Sequence, residues 1–445
     1  MRGPGASRIL TAMATPRSAA AIILYREKPK LEVFWARRAL SMIFQGGFHA
    51  FPGGQLDPNE DSRVCAVREL KEETGVDVDP TTLVDVGRWV TPPFVPRRFD
   101  TCFFLARCPE GQAPKANTEE HDFGGWVEPA AALEQWRDTD LLTSPPVLHA
   151  LQCLSQGLEN IEGRMKAAPE AQGNPTVEVE MRKGILLVPV RTPTLPPATH
   201  TNCYVIGDKD VIVIDPASPY PEEQEVLDRV IEKRGLRVRE IWLTHMHRDH
   251  VSGANHLKEW TRAPIVAHPI TARDLAGFVD VDREFAVEER VRIEGDPGWR
   301  LRVLHTPGHA RGHVCVLEEK KGSLITGDLM AGFGTIVIDP PEGHMATYLG
   351  SLRKMQQLNV TALFPAHGPV MANAKKRIQD YIDHRGEREA NILKAWDSGV
   401  RDVPKIVEAV YADVAPAMYG LAGRSVEAHL EKLREEGKIS GSDQL

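Results

Sequence analysis

Two groups of side chains in this chain have the types and spacing that chemistry requires. The first is built from carboxylates and lies in FPGGQLDPNEDSRVCAVRELKEETGV, with Glu60, Arg68, Glu69, Glu72 and Glu73 between Gly54 and Val76. The second is built from imidazoles: His245, His247, Asp249 and His250 in THMHRDH, then His309 in HTPGH, Asp328 in LITGD and His367 in FPAHG. Hard carboxylate oxygens suit Mg²⁺ or Mn²⁺, whereas imidazole-rich sets suit zinc or iron. Either group alone points to a metal-dependent hydrolase. Together they predict two active sites with different metals.

On a helix, Glu69, Glu72 and Glu73 stand at i, i+3 and i+4 and share one face. Val64, Val67 and Leu70 are then expected on the opposite face, holding the helix against a sheet. Gly75 ends the helix and Gly53-Gly54 forms a tight loop before it. Three clustered carboxylates repel one another unless cations neutralise them. Bound Mg²⁺ or Mn²⁺ could bridge a diphosphate and activate water. Arg68 is spaced to pair with a glutamate of the cluster. The alternative for a run such as RELKEE is a solvated, charge-rich helix face. Glu60, the flanking glycines and the register together favour the metal site.

The pattern Gly54-x5-Glu60-x7-Arg68-Glu69-Leu70-x-Glu72-Glu73-x-Gly75-Val76 resembles the Nudix box at every specified position. With the lead-in GGFHAFPGG and WVTPPFVPRRFDTCFFL (89–105), the segment is similar to the coenzyme A diphosphatase-like branch of that family. The resemblance implies an α/β/α sandwich that splits a nucleoside diphosphate linked to another moiety, with a CoA-like substrate favoured. It implies metal ligands at Glu69, Glu72 and Glu73, Glu72 and Glu73 being catalytic, with Arg68 and Glu60 supporting them. Arg97 and Arg98 could contact phosphate, or form a solvated loop. Glu119 or Glu120 could serve as the base that some members place outside the box.

The histidine set follows the apolar run IWLT and resembles the metallo-β-lactamase superfamily in order and context. Carried over residue by residue, His245, His247 and His309 would hold one metal. Asp249, His250 and His367 would hold a second, with Asp328 bridging and Asp215 orienting a ligand histidine. The cofactors implied are two Zn²⁺, or Fe or Mn in their place. Asp249 would be a ligand within the catalytic pair and not a general base. His200, His268, His313 and His344 lack such support and are read as structural.

THTNCYVIGD, HMATYLGSL and YIDHRGERE are similar to the lactamase-β-like endoribonuclease subgroup, which has relatives among thioester hydrolases. His at position 250 differs from common β-lactamase patterns, and the His309–His367 segment is too short for a β-CASP cap. The favoured substrate is a thioester or other ester. The alternative is an RNA-processing enzyme that cuts single-stranded RNA, so RNA is the alternative partner.

The supporting elements follow from texture. AAAIILYR (19–26) and LEVFWARR (31–38) read as a strand hairpin, residues 62–74 as a helix and 147–166 as helical. From about 183, short apolar runs such as ILLVPV, VIVIDP, IWLTH, SLITGD and ALFPAHG read as buried strands of a layered α/β domain. Several end in His or Asp, which places ligands at strand ends. The final helices, from about 376, with a short closing strand, resemble a winged helix.

The expected organisation is a multidomain α/β chain. It comprises a disordered tail (1–16), a Nudix α/β/α sandwich (17–166), a linker (167–180), an αββα metallo-β-lactamase fold (181–375) and a helical winged-helix-like module (376–445). A chain of 445 residues with 42% apolar and 26% charged content accommodates several globular domains. The formal net charge of −8 argues against a surface built mainly for nucleic-acid backbone. From Arg385 onward, acidic residues slightly outnumber basic ones, so the tail is expected to serve packing or homodimerisation.

The cysteines Cys65, Cys102, Cys108, Cys153, Cys203 and Cys315 form no Cys-x-x-Cys pair, which favours free thiols and a cytoplasmic protein. No apolar run reaches a membrane-spanning length. The Arg-bearing first residues are read as a tail or a mis-set start at Met13, in preference to an organelle presequence.

Overall fold

A computed structural model describes residues 15–440 except positions 28, 43, 94, 96 and 413. Most of the expected 1–16 tail therefore lies outside the described residues. The chain divides into two compact units. One runs up to Trp136 and includes Leu141–Met181 and Pro193–His200; the other comprises Arg137–Asp140, Arg182–Thr192 and the chain from Thr201.

In the first unit the strand Arg17–Arg26 is central. It pairs antiparallel with Glu32–Arg38, as the hairpin reading expects, parallel with Phe99–Arg107, and antiparallel with Gly53–Gln55. Its side chains alternate between two buried layers. Ala20, Ile22 and Leu24 pack with Cys65, Ala66 and Leu70 of the helix Ser62–Thr74. Ala21 and Ile23 pack on the other face with Val147, Leu148 and Leu151 of the helix Pro145–Leu154. Period-2 alternation with both faces buried gives helices on both sides of one sheet.

The Ser62–Thr74 helix has the expected bounds. Asp61 caps its start by accepting from the Arg63 N–H, and Gly75 ends it in the left-handed region at φ 76°. The packing face is rotated from the expected one. Val64 is 49% exposed, and the buried residues are Cys65, Ala66, Leu70, Glu73 and Thr74. Small Cys65 and Ala66 let the helix lie close to the strands, so Glu73 is carried into the interior. The stretch 147–166 is interrupted: the helices Pro145–Leu154 and Ile161–Lys166 flank a turn. Residues 167–175 contain a short 3₁₀ turn, Pro169–Ala171, with Ala171 buried, and belong to the first unit.

The second unit is built on two sheets. The runs read as buried strands form Ile185–Arg191, Asp210–Ile214, Arg237–Trp242, Ile265–Ala267, Trp299–His305, Ser323–Gly327 and Ala362–Pro365. One core packs Val211, Val213 and Ile241 with Leu227, Val230 and Leu257 of flanking helices. The other packs Leu304, Leu324 and Leu363 with Leu352 and Ile378 of the helices Met345–Gln356 and Ala374–Asp397. Between the sheets, Tyr204 meets Phe364 edge-on at 6.0 Å and donates a 2.7 Å hydrogen bond to the Pro365 carbonyl. The two helix-backed sheets give the αββα arrangement.

The helices Val403–Val410 and Tyr419–Glu435 complete the chain with Ala374–Asp397 around Ile392, Trp396, Val407 and Leu430. No strand follows them among the described residues, so the expected closing strand is not found there. Gly437 turns the chain out of the last helix into bends. All six cysteines are free. Among the described residues no helix is long and apolar enough to cross a membrane.

Candidate metal centres

The seven residues singled out in the second unit converge from separate strand ends. His245, His247, His309 and Asp328 each offer one ligand atom within 4.8 Å of the others, and Asp249, His250 and His367 form a second such group. His247 Nδ1 lies 2.9 Å from His245 Nε2 and 3.0 Å from His309 Nε2. Asp328 reaches both groups. One oxygen lies 3.5 Å from His250 Nε2 and 3.4 Å from His367 Nε2, and the other 3.5 Å from His309 Nε2.

Contacts on the far side of four of the rings fix which nitrogen faces inward. The Thr244 hydroxyl donates to Asp215 Oδ2 at 2.7 Å. Its one proton is thereby used, so His245 Nδ1–H donates to the Thr244 oxygen at 2.9 Å and Nε2 keeps its lone pair. His309 Nδ1–H donates to the Val337 carbonyl at 2.8 Å. His247 Nε2 pairs with Glu342 at 3.2 Å, turning Nδ1 inward. His250 Nδ1–H donates to Asp215 Oδ2 at 2.8 Å. Inward lone pairs crowded this closely cannot satisfy one another, and a shared cation resolves the conflict. His250 Nε2 and Asp328 Oδ1 are buried without a hydrogen-bond partner, which fits metal ligation.

The ligand imidazoles divide into two by their electrostatics: burial favours the neutral form of His245 and His309, whereas at His247 the adjacent Glu342 outweighs burial and raises the ring. Burial holds His245 well below the usual imidazole range and pushes His309 down to about 4. Burial also opposes charge on His250, but Asp328, Asp249 and Asp215 outweigh it and hold that ring well above its ordinary value. A divalent cation would take over that neutralisation. Asp215, read as an orienting acid, adopts a left-handed φ of 50° just beyond its strand and also accepts from the Thr244 N–H at 2.8 Å.

Four contributors escaped sequence reasoning. Thr244 and Glu342 orient ligand imidazoles, as described. His313 is fully buried; its Nε2 accepts from the Asp328 N–H at 3.0 Å and its Nδ1–H donates to Thr306 at 2.9 Å. It therefore holds the Asp328 backbone with a neutral ring that burial keeps neutral. In the first unit, buried His121 lies 3.9 Å from Glu73. The threonine preceding His245 was readable in the sequence; nothing local marks Glu342.

The carboxylate helix is arranged differently. Arg68 makes a bidentate pair with Glu60, both contacts 2.9 Å, and reaches Glu69 at 2.8 Å and Glu72 at 3.3 Å. Those hydrogen bonds hold Glu60 down to about 2. Glu73 turns inward and accepts from the Gly53 N–H at 3.2 Å, while Glu72 faces outward. Burial raises the Glu73 carboxyl to about 8 and also raises Glu69. Gly54 lies against Glu69: a Cβ there would stand 2.4 Å from its carboxylate. Arg68 thus reaches Glu69 and Glu72 while Glu73 turns toward Gly53, and the trio is not gathered as tightly as the histidine groups.

Glu120 is close enough to raise both Glu69 and Glu73, whereas Glu119 is exposed. Of the two arginines considered for phosphate, Arg98 is committed to the Thr91 carbonyl at 2.9 Å and Arg97 is exposed. Among the histidines read as structural, His268 stacks on His305 at 4.1 Å, and His344 caps the Met345–Gln356 helix.

Comparison with known proteins agrees with this geometry. Residues 15–146 match the NUDIX domain family, residues 196–367 the metallo-beta-lactamase superfamily, and residues 403–444 the beta-lactamase associated winged helix domain. A Drosophila melanogaster beta-lactamase-like protein 2 homolog is 29% identical over 258 residues, covering 54% of this chain and 84% of its own. An atrochrysone carboxyl ACP thioesterase of Paecilomyces divaricatus is 27% identical over 223 residues, covering 49% and 67%. The crystal structure of a beta-lactamase domain protein from Burkholderia ambifaria covers 62% of this chain and 94% of its own, with a TM-score of 0.53 at 20% identity, a likeness of fold. The chain is a multidomain α/β hydrolase that carries a Nudix domain, a metallo-β-lactamase fold and a winged-helix tail, and both of its hydrolase folds imply divalent metal ions.

Proposed function

We propose that the chain is a bifunctional hydrolase in which the histidine centre cleaves a thioester and the Nudix domain cleaves the diphosphate of a CoA-like compound. The observation that carries the reading is the convergence of seven inward ligand atoms in two groups sharing Asp328. The ACP thioesterase names of two relatives support a thioester substrate. An acyl group on a pantetheine thiol is common to acyl-carrier protein and acyl-CoA, and CoA also contains a diphosphate. One ligand class could therefore serve both sites.

In this reading His245, His247 and His309 would hold one cation and Asp249, His250 and His367 the other, with Asp328 a ligand within reach of both groups, zinc the favoured metal and iron or manganese the alternatives. Bound cations of this kind supply Lewis-acid activation and water of lowered pKa. The protein's own part is to hold the set rigid. Asp215 and Thr244 fix His250 and His245, His313 fixes the Asp328 backbone, and the Val337 carbonyl fixes His309. A thiolate leaves without a strong protein acid, since an ordinary thiol has a pKa of about 8.5.

On the Nudix side, Glu69, Glu72 and Glu73 would hold Mg²⁺ or Mn²⁺, with Arg68, paired to Glu60, spacing Glu69 and Glu72. Glu120 is the better placed of the two candidate bases. A panel of CoA, acyl-CoA, dinucleotides and single-stranded RNA, run with each site disabled in turn, tests the assignment. Loss of acyl-CoA hydrolysis in Asp249→Ala and of CoA cleavage in Glu72→Gln supports it. RNA cleavage that disappears in Asp249→Ala, with acyl-CoA untouched by the intact protein, overturns it.

A further inference from the structure

Residues 329–344, LMAGFGTIVIDPPEGH, join Asp328 to the helix Met345–Gln356 with neither helix nor strand of their own. This strap nevertheless touches the ligand set repeatedly. The Gly332 N–H donates to the His367 carbonyl at 2.7 Å, Val337 accepts from His309 at 2.8 Å, and Glu342 pairs with His247 at 3.2 Å. The His344 N–H donates at 2.7 Å to the carbonyl of Gly308, next to His309. A segment without ladder hydrogen bonds must be held by something else to keep such positions.

The Ala374–Asp397 helix supplies that hold through YIDHRGERE. The Tyr381 hydroxyl accepts from the Ala331 N–H at 2.9 Å and lies 2.9 Å from the Ala331 carbonyl and 3.0 Å from that of Gly334. Arg385, only 2% exposed, donates to the carbonyl of Ile336, one residue before Val337. Its guanidinium lies 5.6 Å from the ring centre of Tyr348, whose hydroxyl donates to the Leu329 carbonyl at 2.7 Å. A buried cation is costly unless its hydrogen bonds are needed. Here they fall on the backbone beside the carbonyl that orients a ligand histidine.

We infer that Tyr381 and Arg385 are positioning residues for the histidine centre: by clamping the strap, the Ala374–Asp397 helix sets how tightly that centre holds metal. This rests on the reading of the histidine set as a metal site. Removing groups that orient metal ligands typically weakens metal affinity 10–100-fold.

The test measures Zn²⁺ affinity of the full chain by chelator competition, with magnesium in excess to occupy the carboxylate helix. The variants are Tyr381→Phe, Arg385→Met, Arg385→Lys and the control Glu389→Gln. Glu389 lies on the same helix and pairs with Lys432 at 2.7 Å and His429 at 3.4 Å. Thermal unfolding follows folding, and the visible spectrum of Co²⁺-substituted protein reports ligand geometry.

Tyr381→Phe and Arg385→Met are expected to weaken zinc roughly tenfold or more and to alter the cobalt spectrum. Arg385→Lys should recover part of the loss, and Glu389→Gln should lower stability while leaving zinc affinity within twofold of wild type. Wild-type affinity in both strap variants overturns the inference, as does an equal loss in Glu389→Gln. A wild-type chain that binds no zinc, iron or manganese overturns the underlying metal reading instead.

Discussion

Asp215 Oδ2 stands 2.8 Å from His250 Nδ1 and 2.7 Å from the Thr244 hydroxyl, so one carboxylate oxygen governs the orientation of two ligand imidazoles. Thr244 passes the constraint on, because its only proton is committed to Asp215 and its oxygen must accept from His245. The two ligand groups are therefore coupled through a single acid that belongs to neither.

Replacing that acid tests the coupling. Asp215→Asn keeps the shape but removes charge and presents an amide donor where two protons must be accepted. Zinc affinity is expected to fall 10–100-fold with the secondary structure retained. Isothermal titration with zinc, beside circular dichroism, reads both quantities. Unchanged affinity would mean that Asp215 is structural only.

Gly54 tests the carboxylate site. In Gly54→Ala the new methyl would stand 2.4 Å from the Glu69 carboxylate, so Glu69 must move. A displacement of about 1 Å at a catalytic group costs on the order of 100-fold in rate. The kcat/KM for diphosphate cleavage should fall on that scale while esterase activity of the histidine centre is unchanged. Wild-type cleavage would show that Glu69 is not needed in its present place.

Glu73 predicts a pH dependence. Burial holds its folded pKa at about 8, whereas an unfolded glutamate titrates near about 4.3. Between those values the folded form keeps a proton that the unfolded form has shed. Stability of the metal-free first unit should therefore fall as pH rises through that window. Magnesium, which binds the ionised carboxylate, should bind more tightly as pH approaches 8. Melting curves from pH 5 to 8, with chelator and then with magnesium, check this, and Glu73→Gln should flatten the chelator series.

The tail predicts the opposite slope. A hydrogen bond from His429, then Lys432, holds Glu389 down to about 2 despite burial. Its contribution is complete above the unfolded value near about 4.3 and is lost as pH falls through that value toward 2. Glu389→Gln should lower the melting temperature at pH 7 and shrink the difference from wild type at pH 3, as read by calorimetry.

Much of this was legible in the sequence because the chemistry lies close to regular elements. His245, Asp328 and His367 follow short apolar strands, and a strand end fixes a ligand's place without reference to loops. The Ser62–Thr74 helix was readable from its caps and spacing, but its rotation was not. Leu70 packs as expected and Val67 in part, but the sheet also took the smaller Cys65 and Ala66, and Val64 remained exposed. Period alone cannot say which apolar stripe packs when small residues permit closer approach. The strap was illegible for a different reason. Its carbonyls find partners on Tyr381 and Arg385, about 50 positions away, and a backbone acceptor such as Val337 O leaves no side-chain signature.

Two separate centres on one chain are proposed to attack two different bonds. The most direct measurement is chromatographic analysis of acyl-CoA incubated with wild type, Asp249→Ala and Glu72→Gln, resolving free CoA from the two halves of a cleaved diphosphate. The account predicts that Asp249→Ala abolishes deacylation alone and Glu72→Gln abolishes diphosphate cleavage alone. Deacylation that persists in Asp249→Ala, or diphosphate cleavage that persists in Glu72→Gln, would contradict it.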